Sequence, residues 1–225
     1  MTKKFIGNDC VIEYHIDTIE KAYTLGFLWG DGHLTSSKYK DGNSSDVHYV
    51  ALEIAKTDLD KIIDLFSVWG EWNLSIRKRE NRQEQGQIIL IDKYFGWFLT
   101  QNDYVVKSNV EPTKILSLIP EELKPYWWRG YIDSDGCFYN NTTQYLNQFS
   151  LAGTFQQEWN EAENLFKSLD ILKYSKQYRN TGKSKSSTIR INNRKDITKL
   201  GSYIYSDNLP VGLERKYNKY LEIKV

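Results

Sequence analysis

Lys21-Ala-Tyr-Thr-Leu-Gly-Phe-Leu-Trp-Gly-Asp-Gly-His33 and Pro125-Tyr-Trp-Trp-Arg-Gly-Tyr-Ile-Asp-Ser-Asp-Gly-Cys137 are written to one pattern. Each runs through aromatic residues to a glycine, then two apolar residues and, one position further on, a small residue followed by Asp-Gly. Asp31 and Asp135 stand 104 positions apart in a chain of 225, so the repeat covers a whole structural unit. The segments after the two copies also match each other. Residues 47–55 and 149–155 are β-rich, and Asp58–Phe66 and Glu158–Leu169 carry apolar residues at helical spacing. Strand pairs then fall at Leu74–Arg79 with Gln87–Ile91 and at Tyr174–Arg179 with Thr188–Asn192, and further helices at Tyr94–Thr100 and Lys195–Tyr205. The chain therefore reads as an α+β protein of two halves, 1–108 and 125–225, each ordered αββαββα and joined by 109–124.

Composition bounds the rest. With 40% hydrophobic and 26% charged residues and only four prolines, the chain is globular, and disorder and fibre are excluded. No apolar run is long enough to span a bilayer. The basic N-terminus lacks the apolar stretch of a secretory signal, and two cysteines, Cys10 and Cys137, make no disulfide framework, so an intracellular, reduced protein is expected. The net charge of +1 hides an imbalance: from Cys137 onward 14 Lys and Arg face 8 Asp and Glu, giving +6 there and −5 before it. A basic half suits a polyanionic partner.

If Tyr23–Gly30 and Tyr126–Ser134 are helical, Gly26 shares a face with Gly30, and Gly130 with Ser134. Glycine inside a helix costs about 1 kcal/mol relative to alanine, so a face built of it needs a reason. Close approach of a second backbone is one, and the other copy is the simplest partner. Asp31 and Asp135 then end their helices, each before a glycine suited to a left-handed cap. A carboxylate at a helix C-terminus meets the negative end of the dipole, and two close helices bring both carboxylates together. A divalent cation relieves both problems; Mg2+ takes oxygen ligands and needs few from protein when phosphates complete its shell. Asp-Gly after a helix is also ordinary turn chemistry, but that does not account for two copies with one spacing. Asp133 has Trp29 at its equivalent position, which points to a structural or capping role.

Other chemistries fail on spacing. A calcium loop with Gly136 at its sixth position would begin at Tyr131 and end at Thr142, neither an acid. His15, His33 and His48 lack zinc spacing, and no phosphate loop, nucleophile elbow or dinucleotide fingerprint occurs.

Thr24-Leu-Gly-Phe-Leu-Trp-Gly-Asp-Gly32 and Trp128-Arg-Gly-Tyr-Ile-Asp-Ser-Asp-Gly136 resemble the two motifs of single-chain LAGLIDADG homing endonucleases, and the resemblance covers nearly the whole chain. It departs from the pattern at Trp29, where Asp is usual, and at Thr24, where Leu is usual. It implies a pseudo-symmetric monomer whose two four-stranded sheets form a saddle on double-stranded DNA, cutting both strands of a long site to leave 3′ overhangs. It implies metal ligation by Asp31 and Asp135 with the carbonyls of Gly30 and Ser134, and Mg2+ as cofactor, with Mn2+ as substitute and Ca2+ supporting binding without cleavage. Polar or basic groups near the scissile phosphates map to Lys56 and Gln156 at the ends of second strands, and to Lys93 and Arg194 or Lys195 near the ends of fourth strands. Base readout maps to Arg77, Arg79, Arg82, Gln87, Gln148, Gln177, Arg179 and Arg190, where arginine suits guanine or phosphate and glutamine suits adenine. Ser36–Ser45 and Asn180–Ser187 read as polar hairpin tips reaching the flanks of the site. The competing expectation is an intron maturase or a regulator that binds DNA or RNA on the same scaffold without cutting it.

Overall fold

The computed structural model describes the chain except residues 1, 7–8, 38–46, 79–82, 142, 145, 183, 207–210 and 225, and describes 2–6, 9–13, 36–37 and 47 by backbone alone. Two helices form its centre. Helix α1 (Ile19–Asp31) starts at Thr18, whose hydroxyl accepts from the Lys21 N–H. Helix α5 (Lys124–Asp135) starts with Pro125 in its first turn, where the missing N–H costs nothing. The two pack along their small-residue faces. A Cβ on Gly26 would lie 1.9 Å from the Trp127 carbonyl oxygen, one on Gly130 1.9 Å from that of Tyr23, and one on Gly30 1.8 Å from Ser134 Oγ. The expected close backbone approach is the axis of the fold.

Each helix hands its chain directly to a sheet. Strands β3 (Gly32–Ser37), β4 (Val47–Ala55), β5 (Asn73–Arg77) and β6 (Gln85–Ile91) lie in the order β3-β4-β6-β5, after a short N-terminal hairpin of β1 (Thr2–Ile6) and β2 (Asp9–Glu13). In the second half β7 (Gly136–Asn141), β8 (Leu146–Thr154), β9 (Ser175–Asn180) and β10 (Lys185–Ile191) repeat the arrangement as β7-β8-β10-β9. All pairings are antiparallel. Period-two alternation gives each sheet one apolar face: Val50, Leu52, Ile54, Ile88 and Leu90 are buried in the first, and Phe138, Phe149, Leu151, Ile189 and Ile191 in the second. Packed with those faces are α2 (Lys56–Ile62, continuing as a 3-10 segment to Trp69), α3 (Lys93–Gln101), α6 (Asn160–Ser168) and α7 (Arg194–Ile204). The opposite faces remain open and polar.

Four features differ from expectation, the N-terminal hairpin being the first. The joining segment contains α4 (Thr113–Ser117), and the chain closes with α8 (Glu214–Lys224), a helix with little apolar residue content whose Tyr220 packs so tightly on α7 that a Cβ on Gly201 would meet its ring at 2.0 Å. The glycines after the aspartates are not left-handed caps. Gly32 (φ −74°, ψ 159°) and Gly136 (φ −85°, ψ 157°) are extended, because the chain enters β3 and β7 at once. Space requires glycine there: a Cβ on Gly32 would lie 2.3 Å from the Tyr104 hydroxyl, and one on Gly136 2.5 Å from the Ile132 carbonyl oxygen.

The two departures within the first repeat have partners. Buried Thr24 accepts from the Trp69 indole N–H at 2.8 Å while donating to the Glu20 carbonyl, and Trp29 packs between Tyr104 and Trp127. Asp133 is structural as expected: its Oδ2 accepts from the Tyr23 hydroxyl and the Leu213 N–H, both at 2.9 Å. Burial raises its pKa to about 6, against hydrogen bonding and the nearby Arg129 charge, which lower it.

Candidate active site

The parallel ends of α1 and α5 bring the two repeat aspartates to one place. A Cβ on Gly30 would lie 2.9 Å from Asp135 Oδ2, so the second-half carboxylate rests against the end of the first-half helix. It lines a cavity of about 320 Å³ with Trp29, Gly30, Lys107, Thr154, Gln157 and Lys185. This site is composite. Asp135 comes from one half, and the Gly30 backbone and Lys107 come from the other.

Lys107 lies in the turn after α3, where its ammonium donates to the last carbonyls of α1, at 3.2 Å to Leu28 and 2.5 Å to both Trp29 and Gly30. A helix C-terminus leaves such carbonyls without internal partners, and a cation there also meets the dipole favourably. Burial draws the Lys107 pKa down to about 8, with Asp135 and Asp31 acting to raise it. In the second half Lys216 of α8 is buried and donates to the carbonyl of Gly136, the first residue of β7. Burial likewise pulls Lys216 below the usual lysine range.

Both carboxylates are held above their ordinary value. For Asp135 the pKa reaches about 6, chiefly through desolvation and then through the charge of Asp31, while Lys107 and Lys216 pull it back. Desolvation raises Asp31 as well, opposed by Lys107, Lys216 and Arg215. Arg215 is itself gripped by Asp58 at 2.8 and 2.5 Å, an ion pair that joins α8 to α2 across the halves.

Two carboxylates that repel, beside backbone carbonyls, form an all-oxygen donor set that suits a hard divalent cation. Among the described residues no cluster of three or more His, Cys, Asp or Glu side chains could hold a metal, so a cation here needs carbonyl and substrate oxygens in its shell. The Gly30 carbonyl can serve both Lys107 and a metal, since it has two lone pairs.

The other sequence-derived candidates are spread around this centre. Lys56 begins α2 and is ion-paired to Asp60 at 2.5 Å. Gln156 lies in the turn after β8 and lines a neighbouring cavity of about 260 Å³. Lys93 sits over the Trp97 ring at 4.3 Å, and Lys195, like Arg194, is exposed in the first turn of α7. The cations that act on the two carboxylates are Lys107, Lys216 and Arg215. Lys107 comes after a helix expected to stop near residue 100, and Lys216 sits on a helix not expected at all. A lysine shortly after each half's last β-α unit was the only signal available.

On the outer face of the first sheet, exposed Arg77 donates to Gln87, which is itself buried, at 3.0 Å and to Glu53 at 3.2 Å, forming a cross-strand polar array. In the second sheet the pairing register puts Gln148, Gln177, Arg179 and Arg190 on one face, opposite buried Phe149, Leu151, Ile189 and Ile191. Gln148 donates to Asn192 at 3.0 Å. Arg79 and Arg82 lie outside the described residues, as does most of the Ser36–Ser45 tip. The Asn180–Ser187 hairpin does not extend toward a flank. Its strands β9 and β10 turn at the end of the sheet where Lys185 lines the Asp135 cavity, because β10 pairs antiparallel with β8, whose end Thr154 lines that cavity too.

Among the described residues no helix is long and apolar enough to cross a membrane. No protein-family model and no curated sequence matches the chain. Solved structures do. The structure of I-SmaMI bound to an uncleaved DNA target in the presence of calcium ions is 17% identical, with a TM-score of 0.57 over 90% of this chain and 88% of that one. The LAGLIDADG meganuclease I-CpaMI bound to uncleaved DNA gives a TM-score of 0.57 at 14% identity, over 90% and 89% of the two chains. The LAGLIDADG homing endonuclease I-GzeII in complex with its DNA target gives 0.58 at 10% identity, over 90% and 87%. The chain has the two-half, single-chain fold of these LAGLIDADG proteins.

Proposed function

We propose that the chain is a site-specific homing endonuclease of the LAGLIDADG type, which hydrolyses both strands of a long DNA site with a divalent metal, Mg2+ in the first instance. The observation that carries the reading is the pairing of Asp31 and Asp135 at the ends of two glycine-faced helices, with a lysine bonded to backbone carbonyls near each end, beside two antiparallel sheets. Carboxylates that repel DNA phosphates would weaken a protein that only binds. Residues 1–108 and 125–225 act as the two halves of one monomer, with 109–124 between them.

A divalent cation held by Asp31, Asp135 and the carbonyls of Gly30 and Ser134 would supply charge stabilisation at the phosphate and a more acidic water. The chain's own residues do the rest. Lys107 Nζ fixes the α1 terminus through three carbonyls and keeps a positive charge beside Asp135, where negative charge grows as the phosphodiester is attacked. Lys216 Nζ holds the start of β7 through the Gly136 carbonyl and adds positive charge near both carboxylates. Arg77 and Gln87 in one half, and Gln148, Gln177, Arg179 and Arg190 in the other, present donors and acceptors toward base edges and phosphates. The test is selection of cleaved ends from a genomic or randomised duplex library in Mg2+. Recovered ends that share one long asymmetric site support the reading, and uncut DNA at every site contradicts it.

A further inference from the structure

The strand registers place a lysine of the second half, Lys185, on a different strand from Lys56 of the first. Gly32 pairs with Leu52, and Gly136 with Leu151, so Leu52 and Leu151 are equivalent. These pair in turn with Ile88 and Ile189. Counting outward along each strand, Lys56 corresponds to Phe155, and Glu84 to Lys185. The Lys56 N–H donates to the Glu84 carbonyl at 2.9 Å, which carries the first-half ladder one rung further at this position. In one half the rung therefore holds Lys56 on the β4 side and Glu84 on the β6 side. In the other the ladder ends one rung earlier, at Thr154 with Ser186, and the next positions are Phe155, packed edge-on against Tyr178, and Lys185. The charge has changed strands.

Lys185 is placed to use that position. It lines both the Asp135 cavity and the adjoining one with Asn109, Thr154, Phe155 and Gln156. Three of the polar groups around it are engaged, while the Asn109 and Gln156 side chains, which carry no charge, have no partner among the described residues. Lys107 is held by three carbonyls, Gln157 donates to the Val110 carbonyl at 3.0 Å, and Thr154 donates to the Ser108 carbonyl. Lys185 is exposed and, among the described residues, has neither a hydrogen-bond nor an ion-pair partner. Lys56, by contrast, is paired to Asp60, and Glu84 to Lys78 at 3.5 Å.

Resting on the endonuclease reading, we infer that Lys185 contacts the DNA phosphate that enters the Asp135 cavity, and that Lys185 rather than Gln156 is the second half's counterpart of Lys56. An unpaired ammonium beside a carboxylate-bearing cavity meets an incoming phosphate without first breaking a bond. Gln156, one place beyond the rung, brings no charge.

The experiment is single-turnover cleavage of the protein's recovered target with each strand labelled separately, for the intact chain, Lys185→Ala and Lys185→Arg. Lys185→Ala is expected to slow one strand about tenfold or more while the other stays within about twofold, and Lys185→Arg to recover most of the rate. The slope of log binding constant against log salt concentration should fall by about 1 for Lys185→Ala. Cleavage of both strands at the parental rate with an unchanged salt slope overturns the inference, as does equal slowing of both strands. If the intact chain cuts no DNA, the endonuclease reading falls first and this inference with it. A cutting parent with an unaffected Lys185→Ala removes this inference alone.

Discussion

Gly130→Ala should destabilise the protein although alanine is the better helix former. The new Cβ would sit 1.9 Å from the Tyr23 carbonyl oxygen, 2.8 Å from the Phe27 nitrogen and 2.9 Å from the Tyr23 carbonyl carbon, all of them main-chain atoms. Ordinary contact begins near 3.4 Å, so α1 and α5 must separate locally by about 1.5 Å. Overpacking costs about 1–3 kcal/mol where neighbours can yield. No side chain can rotate away here, so the upper end applies, and helix propensity returns about 1 kcal/mol. The net loss is about 2 kcal/mol, or about 4–8 °C in Tm for a chain of this size. The same separation displaces Asp135 from the Gly30 backbone, so cleavage should fall further than DNA affinity. Urea unfolding monitored by far-UV circular dichroism reads the first effect, and single-turnover cleavage beside equilibrium binding reads the second. A Gly130→Ala protein as stable as the parent, or more stable, would refute the argument, because helix propensity would then be acting without the clash.

Lys107→Ala strips a donor from three α1 carbonyls and a charge from the cavity, so cleavage should drop about 100-fold or more while duplex binding persists; parental rates in a strand-resolved assay would contradict the role given to this lysine. Thr24→Val leaves the buried Trp69 indole N–H without its acceptor and should cost about 1–3 kcal/mol in urea unfolding. Equal stability of that variant would mean the indole finds another partner. The Arg215–Asp58 pair is half-exposed on its arginine side, so a double-mutant cycle should return a coupling below about 1 kcal/mol despite its two-point geometry. Chelation of divalent metal should abolish cleavage, and Ca2+ should restore tight, salt-sensitive binding without cutting. Cutting in excess chelator would remove the metal from the account.

The helix pair was the most legible part of the fold, because Gly26, Gly30, Gly130 and Ser134 describe a face with no bulk, which lets a second helix approach closely. Strand positions were legible from alternation, but the order β3-β4-β6-β5 is written in no local pattern. The carboxylate pair was legible from the duplication. The lysines were not. Lys107 and Lys216 reach their carbonyls from segments whose apolar periodicity is weak, and α8 carries Glu214, Arg215, Lys216, Lys219, Glu222 and Lys224 around the few residues it buries. The cap geometry at Gly32 and Gly136 was misread for a related reason: Asp-Gly is compatible with a left-handed turn, and only the immediate entry into a strand shows that space, not φ, selects the glycine. Register was invisible as well. Lys56 and Gln156 look equivalent along the chain, and only the ladders reveal that Lys56 matches Phe155's position and Glu84 that of Lys185.

The central claim is that Asp31 and Asp135 carry the chemistry and not merely the helix ends. It is tested most directly by measuring cleavage and affinity together on the selected target, in Mg2+, for the intact chain, Asp31→Asn and Asp135→Asn. Both variants should lose double-strand cleavage while binding the duplex within about threefold of the parent. Full cleavage by either variant would contradict the account, and a parent that binds duplex or structured RNA in a salt-sensitive way without cutting would make the two aspartates structural and the protein a binder on an endonuclease fold.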